Sequence, residues 1–566
     1  MKKIIDFLKN ISVAQLVLIL SILILVIIVA VPVLLILFTA FFENGKLNVD
    51  GVVKVLSDKD TYSALLNSLI IAIGTTFIST LFGVFFAWLV ARTDLPFKKF
   101  IKIMFLVPFM LPSFIGALAW KILLSPNAGY INRLFVKIFN LSSSPIDIMT
   151  MGGIIAIESM YLFPFVFLQV TSALERMDPT LEESARISGA GLFKITTKIT
   201  LPLVLPSILA GALLVALYSL AHFGVPAILG TEKGIYNIPT KIYERIYASA
   251  GSFSAIRIGT ILSTILVISA ALILKAQSML LKRGKFQIIA GKSMRPVVLK
   301  LRGLKTPLFI FCIIYIGITV ILPTVTIFFI GGLKTYGLPI ALESLTWENY
   351  IEIFKWKMTK DSIINSIYLS LSSAFVTMLV GVMISYVIVK MKVKGKFIIE
   401  FLGVLPFSLP GTVIALGVIL TWSGRFGINL YNTAGIIFVA YIARYMAFSL
   451  KSNSAALEQV SDSLEEASRA CGATHWQTLK NIVLPLVRPG MISAFFLIFL
   501  PALRELTTSV LLYGPKTRTI GVAIYALNED GETVRAAALA SVTLVIIFLA
   551  ESLIRYFISK LQKQEQ

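Results

Sequence analysis

Three ionisable side chains stand inside long apolar runs, where a charge is costly and usually marks a solute or ion path. Glu158 sits in GGIIAIESMYLFPF, His222 in SLAHFGVP, and Glu505, beside Arg504, in PALRELTT. His222 and Glu505 are 283 positions apart, a spacing that recurs below, so the two are expected to face each other across a translocation pathway, with Glu158 a third candidate. The plainer alternatives are a satisfied interhelical hydrogen bond or, for Arg504 and Glu505, an interfacial charge near a helix end. Other chemistry finds little support. The chain has two cysteines, Cys312 and Cys471, and two histidines, His222 and His475, too few for a disulfide framework or a zinc cluster. FQIIAGKS (286–293) carries Gly291-Lys292-Ser293 but has phenylalanine where a phosphate loop needs its first glycine. No His/Asp/Glu cluster recurs at catalytic spacing. No catalytic residue and no metal ligand is therefore assigned.

The elements around these residues are apolar helices. The chain has 566 residues, 57% hydrophobic and only 14% charged, against about a quarter charged in a soluble protein. Twelve apolar segments reach or approach the ~20 residues that span a bilayer: 13–42, 63–91, 103–124, 151–174, 204–229, 256–281, 306–332, 362–389, 398–421, 434–450, 489–512 and 536–558. Each is expected to be helical, because lipid offers no partner to an open strand edge. The uncharged run from Ile11 to Phe42 exceeds a secretory signal core and reads as a retained signal anchor. An even number of spans puts both termini on one side. The segments on that side (1–13, 92–102, 175–203, 275–307, 390–396, 444–488, 555–566) hold 32 of the 51 basic residues, so both termini are expected in the cytoplasm. The same rule accounts for the formal charge of +22 without nucleic acid as a partner.

The chain repeats itself. Residues 173–206 (ALERMDPTLEESARISGAGLFKITTKITLPLVLP) match 456–489 (ALEQVSDSLEEASRACGATHWQTLKNIVLPLVRP) at 15 of 34 positions. Further upstream, Asn67-Ser68 pairs with Asn365-Ser366, and Pro108 and Pro112 with Pro406 and Pro410. These prolines are expected to kink the third span of each half. Span order and loop direction agree, so the duplication is parallel rather than inverted. The expected organisation is a six-span module over 1–281, a basic cytoplasmic linker over 282–305 and a second six-span module over 306–566.

The best-matched stretch is a polar loop, not a span, which points to a shared partner rather than to packing. Its pattern is E-x-x-x-x-x-G, nine residues, then I-x-L-P: Glu183, Gly189, Ile199, Leu201 and Pro202 in one copy, Glu466, Gly472, Ile482, Leu484 and Pro485 in the other. Helix formers lead to a glycine able to take positive φ and end the helix. A second short helix follows, with proline ending it or beginning the next span.

This spacing resembles the EAA loop of ABC importer permeases, the binding-protein-dependent transport module. EES and EAS stand for the family's Glu-Ala-Ala, with Ala185 and Ala467 retaining one alanine each. The resemblance covers nearly the whole chain. It implies an all-α polytopic membrane protein of about twelve transmembrane helices in two parallel six-helix repeats, the type I importer permease fold. It also implies a coupling helix in each loop that docks on a cytoplasmic ABC ATPase, hence two ATPase subunits holding ATP and Mg, with no cofactor bound by this chain. An extracytoplasmic solute-binding protein would deliver the cargo to a bacterial or archaeal plasma membrane, where lipid surrounds the permease. The strings FGVPAILG (223–230), IPTKIYERI (238–246) and AIYALNEDGETVRAAALA (523–540) look most like the ferric-iron permease group. The same machinery importing 2-aminoethylphosphonate, thiamine, polyamine or sulfate is the alternative. An ion-coupled secondary transporter, which would not need the paired loop, is a third reading.

Overall fold

The computed structural model describes residues 13–43, 45–178, 180–249, 252–283, 298–339, 341–391 and 393–564. The FQIIAGKS string and much of the basic linker lie outside them. The first half comprises α1 (Gln15–Phe41), α2 (Lys59–Arg92), α3 (Lys98–Met110), α4 (Ser113–Leu124), α5 (Met151–Arg176), α6 (Thr180–Ile187), α7 (Phe193–Leu220), α8 (Ile238–Ala248) and α9 (Phe253–Met279). The second half answers these nine in order, though among the described residues it has no counterpart to the first half's further helix Tyr130–Phe139: α10 (Arg302–Gly331), α11 (Lys357–Val389), α12 (Lys396–Ser408), α13 (Gly411–Trp422), α14 (Ala434–Glu458), α15 (Asp462–Ala470), α16 (His475–Leu503), α17 (Ile520–Glu529) and α18 (Thr533–Tyr556). The named strands are a two-residue pair, Phe42–Glu43 with Lys46–Leu47.

Ten of these helices are long and apolar enough to cross a membrane singly, and α3/α4 and α12/α13 are bent pairs. The bends, 93° and 115°, are far sharper than the expected proline kink. Leu111 and Leu409, each preceding a proline, are extended (φ −80°, ψ 140° and φ −93°, ψ 142°), as the proline ring demands of its predecessor. The helix therefore stops and restarts. Even so, the first pair runs from one face of the bundle to the other. Lys102 in α3 meets Glu175 at the end of α5 (2.6 Å), while Lys121 in α4 meets Glu232, beyond the far end of α7. That is the course of one interrupted span, and with both bent pairs counted in this way the described residues hold twelve candidate spans.

Prolines inside continuous helices are handled differently. Each of four π turns, Val26–Ala30, Thr196–Thr200, Gly317–Ile321 and Leu479–Val483, is followed after one intervening residue by a proline: Pro32, Pro202, Pro323 and Pro485. The wide turn makes room for a ring that would otherwise strike the preceding carbonyl. Pro202 and Pro485 consequently neither end a helix nor begin one, contrary to the sequence expectation; α7 and α16 run through them.

Apolar side chains gain nothing from leaving lipid for one another, so packing and polar contacts must hold such a bundle. Gly83 of α2 abuts α5, where a Cβ would lie 2.7 Å from Val166 Cβ, and its counterpart Gly381 of α11 abuts Ser449 of α14. Asn67 and Ser68 tie α2 to the start of α8 (Nδ2 to Tyr236 O, 2.9 Å; Ile238 N to Oγ, 2.7 Å). Asn365 and Ser366 repeat this on α17 (Nδ2 to Arg518 O, 3.0 Å; Ile520 N to Oγ, 2.7 Å). The first helix of each half packs in the other half as well as in its own. Leu25 and Val29 of α1 share a core with Ile384, Ile399 and Met446. Tyr315 of α10 packs among Phe86, Phe105 and Phe163, 4.6 Å from Phe86 between ring centroids.

Candidate functional site

Two places combine chemistry with duplication: a pair of surface hairpins and a cavity where the halves meet.

Each hairpin is a short helix, a glycine turn and the start of the next span. Gly189 and Gly472 take φ of +78° and +84°. Gly189 N donates to Arg186 O (3.0 Å) and Ala190 N to Ala185 O (2.9 Å); Gly472 N and Ala473 N repeat this on Arg469 O and Ser468 O (3.0 and 3.1 Å). This double closure at a left-handed glycine ends a helix with its last carbonyls satisfied. Open space surrounds both glycines. The motif glutamates Glu183 and Glu466 are exposed, as is Ala467, and Ala185 is half-buried. Further along, Ile199, Leu201, Pro202, Ile482 and Pro485 lie on α7 and α16, exposed or half-buried with Leu484.

The glutamates one place earlier do the anchoring. Glu182 is buried, 3.6 Å from Nη1 of the fully buried Arg92 at the end of α2, and accepts from Thr200 Oγ1 (2.6 Å). Its counterpart Glu465 accepts from Tyr386 OH (3.0 Å) and lies 4.0 Å from Lys390 Nζ, which also reaches Asp462 (2.6 Å). Arg92 and Lys390 hold corresponding positions, so each hairpin is latched to the second span of its own half. Sequence reasoning passed over Glu182 and Glu465, although the Glu-Glu pair stands in both copies. It also passed over Phe193 and Trp476, aligned aromatics that are 81% and 55% exposed just past the turns.

The intramembrane candidates lie where helices stop. α7 ends at Leu220 and α16 at Leu503, so His222 and Glu505 occupy unwound turns rather than the helical spans expected around them. Such backbone is tolerated at membrane depth where it lines a cavity. Both residues line the same cavity, about 230 Å³ in volume, with Ser113, Tyr218, Arg444 and Arg504 among the other lining groups. Each, however, is paired within its own half. His222 Nδ1 is 3.0 Å from Glu158 Oε1 and Nε2 is 2.7 Å from Ser113 Oγ. Glu505 Oε2 takes Arg444 Nε (3.2 Å) and Tyr445 OH (2.6 Å), and its Oε1 takes Thr508 N (2.8 Å). At the shared repeat position the first half carries a base and the second an acid, whereas their partners do not correspond: Glu158 aligns with Tyr441 and Arg444 with Tyr161.

Glu158 is not among the lining residues. It is wholly buried behind His222 and also receives Ser219 Oγ (2.6 Å). It positions the imidazole rather than facing the path. Arg504 is no interfacial charge: its Nη1 donates to Phe109 O (2.9 Å) and to Met110 O, closing the broken end of α3 from the opposite half. Arg444, counted by charge with the hairpin side, sits in the middle of α14. A lone arginine within AYIARYMAF was the available signal.

The family model for a binding-protein-dependent transport system inner membrane component matches residues 79–283 and again 377–563. The chain is 27% identical over 519 residues to the ferric transport system permease protein FbpB of Actinobacillus pleuropneumoniae, covering 90% of this chain and 73% of that one. It is 27% identical over 492 residues to the putative ferric transport system permease protein FbpB 1 of Haemophilus influenzae, covering 86% and 76%. A putative 2-aminoethylphosphonate transport system permease protein, PhnV of Salmonella paratyphi A, is 27% identical over 189 residues, 33% of this chain and 71% of its own. A solved bacterial alginate ABC transporter chain aligns over 44% of this chain and 85% of its own, at 19% identity and a TM-score of 0.36.

Proposed function

The chain belongs to the family of binding-protein-dependent transport system inner membrane components, and we propose that it supplies both membrane halves of an ATP-driven importer of ferric iron from one polypeptide. The observation that carries this reading is the pair of matched hairpins. Both glycine turns present a free aromatic, Phe193 or Trp476, and both are fastened to a long span by a buried carboxylate. Two copies of one cytoplasmic ATPase, carrying ATP and Mg, would dock there. Their approach on binding ATP would draw the hairpins together and move α2 and α11 through the latches. The hairpin side is then cytoplasmic, both termini share it, and a solute-binding protein docks on the opposite face. The coupling residues are Glu183, Ala185, Gly189, Ile199, Leu201 and Pro202, with Glu466, Ala467, Gly472, Ile482, Leu484 and Pro485. The modules are 1–281 and 306–566, joined by the linker 282–305.

Ferric iron rests on the two relatives that match over most of the chain. A specific observation also favours 2-aminoethylphosphonate: two guanidinium groups, Arg444 and Arg504, line the cavity. The chain reconstituted with its ATPase and a ferric-loaded binding protein should hydrolyse ATP faster than without the loaded protein. Stimulation by a phosphonate-loaded protein instead would overturn iron. Gly189→Phe with Gly472→Phe should uncouple hydrolysis from uptake while leaving membrane insertion intact. Normal uptake by that double variant would sink the docking assignment.

A further inference from the structure

Among its charged side chains, the cavity between the halves leaves donors unpaired but no carboxylate oxygen. Its lining carboxylate, Glu505, has both oxygens engaged, by Arg444, Tyr445 and the Thr508 amide. The imidazole of His222 is hydrogen-bonded to Ser113 Oγ at Nε2 and has its Nδ1 turned to the Glu158 carboxylate, 3.0 Å away. On the donor side, Arg444 bonds Glu505 through Nε and lies beside Tyr445, and Arg504 uses Nη1 on two backbone carbonyls. Most of the remaining N–H groups of these two guanidiniums meet no acceptor among the described residues. The Tyr218 hydroxyl, within the field of both arginines, has no hydrogen-bond partner there either. Charge follows the same count. Glu505 offsets Arg444, whereas Arg504 has no carboxylate within ion-pair distance among the described residues.

We propose that this cavity is an oxyanion site, through which the solute passes as a phosphonate, a phosphate or an iron–oxyanion chelate rather than as a bare cation. A guanidinium fork matches the paired oxygens of a phosphonate, phosphate or carboxylate, and charge-assisted bonds to it are the strong ones. An oxyanion would satisfy the free donors of Arg444, Arg504 and Tyr218 together and compensate the unpaired charge. A bare trivalent cation would meet an uncompensated guanidinium, with the Tyr218 phenol and the Ser113 and Thr507 hydroxyls as neutral oxygens to set against it and no carboxylate left unengaged. The proposal rests on the importer reading and narrows the form its cargo takes.

Equilibrium binding of labelled inorganic phosphate to the purified full chain tests it, with chloride at equal ionic strength as the control. Saturable binding displaced by methylphosphonate is expected. Arg504→Gln should weaken it roughly tenfold and Tyr218→Phe roughly threefold. Tyr218→Phe removes only a hydroxyl that holds no protein partner, so it decides the matter if Arg504→Gln fails to fold. No saturable phosphate binding, or binding unchanged in Tyr218→Phe and in any folded Arg504→Gln, overturns the proposal. Competition by ferric citrate stronger than by citrate identifies an iron-bound oxyanion; the reverse order identifies the free one. Stimulation of the ATPase by loaded binding protein is read separately. Phosphate binding without ferric stimulation removes iron as cargo and leaves the site, whereas ferric stimulation without phosphate binding removes the site and leaves the cargo.

Discussion

Glu182 and Glu183 are neighbours in the chain with opposite surroundings. One carries the counter-charge of a buried arginine and the other stands in solvent. Glu182→Gln leaves Arg92 buried without its counter-ion, so it should cost about 3–5 kcal/mol in unfolding free energy. Glu183→Gln should stay within about 0.5 kcal/mol and act on coupling to the ATPase instead. Denaturation of the two purified variants separates them, and equal losses would refute the latch. Asp94, just beyond α2, makes a pH-dependent tie to the end of the linker. The Leu301 amide, then Lys305, hold its carboxyl below the usual carboxylate range, against the opposing effect of burial. A depressed pKa in the folded chain means that the tie is complete above about pH 4, the ordinary carboxylate value. It is lost as pH falls through the lower folded value. Hydrogen exchange at Leu301 should therefore stay protected at neutral pH and open only in acid.

At the scale of elements, proline and glycine act through their neighbours. The same ring breaks α3 from α4 at Pro112 yet is absorbed within α7 after a π turn at Pro202. Glycine likewise has two roles. Gly189 needs its left-handed backbone and has empty space around it, whereas Gly83 needs the space and lies in an ordinary helix. Gly189→Ala should cost about 1 kcal/mol and leave the packing of α2 intact. Gly83→Ala should cost about 1–3 kcal/mol, because Val166 and the Phe163 carbonyl cannot both yield. Thermal unfolding of the two variants, with crosslinking between α2 and α5, distinguishes strain in a turn from separation of two helices.

Over the whole molecule, the halves are joined by more than a linker, since α1 packs in the second half and α10 in the first as well as each in its own. Residues 1–290 and 291–566, produced as separate chains, should insert stably only when made together, and should then co-purify. Independent accumulation of either piece would contradict this joining. The twelve segments, the parallel duplication and the glycine turns were all legible in sequence. Hydropathy, repetition and the conformational freedom of glycine are local properties that each stretch of chain carries with it. The reach of each first helix into the other half, the choice of Glu182 over Glu183 as anchor, and the separate partners of His222 and Glu505 around one cavity were not. Each depends on contacts between residues far apart in the chain. His222 and Glu505 show both sides: their spacing in the repeat brought them to notice, but only the tertiary structure gave each its own partner, Glu158 for one and Arg444 for the other.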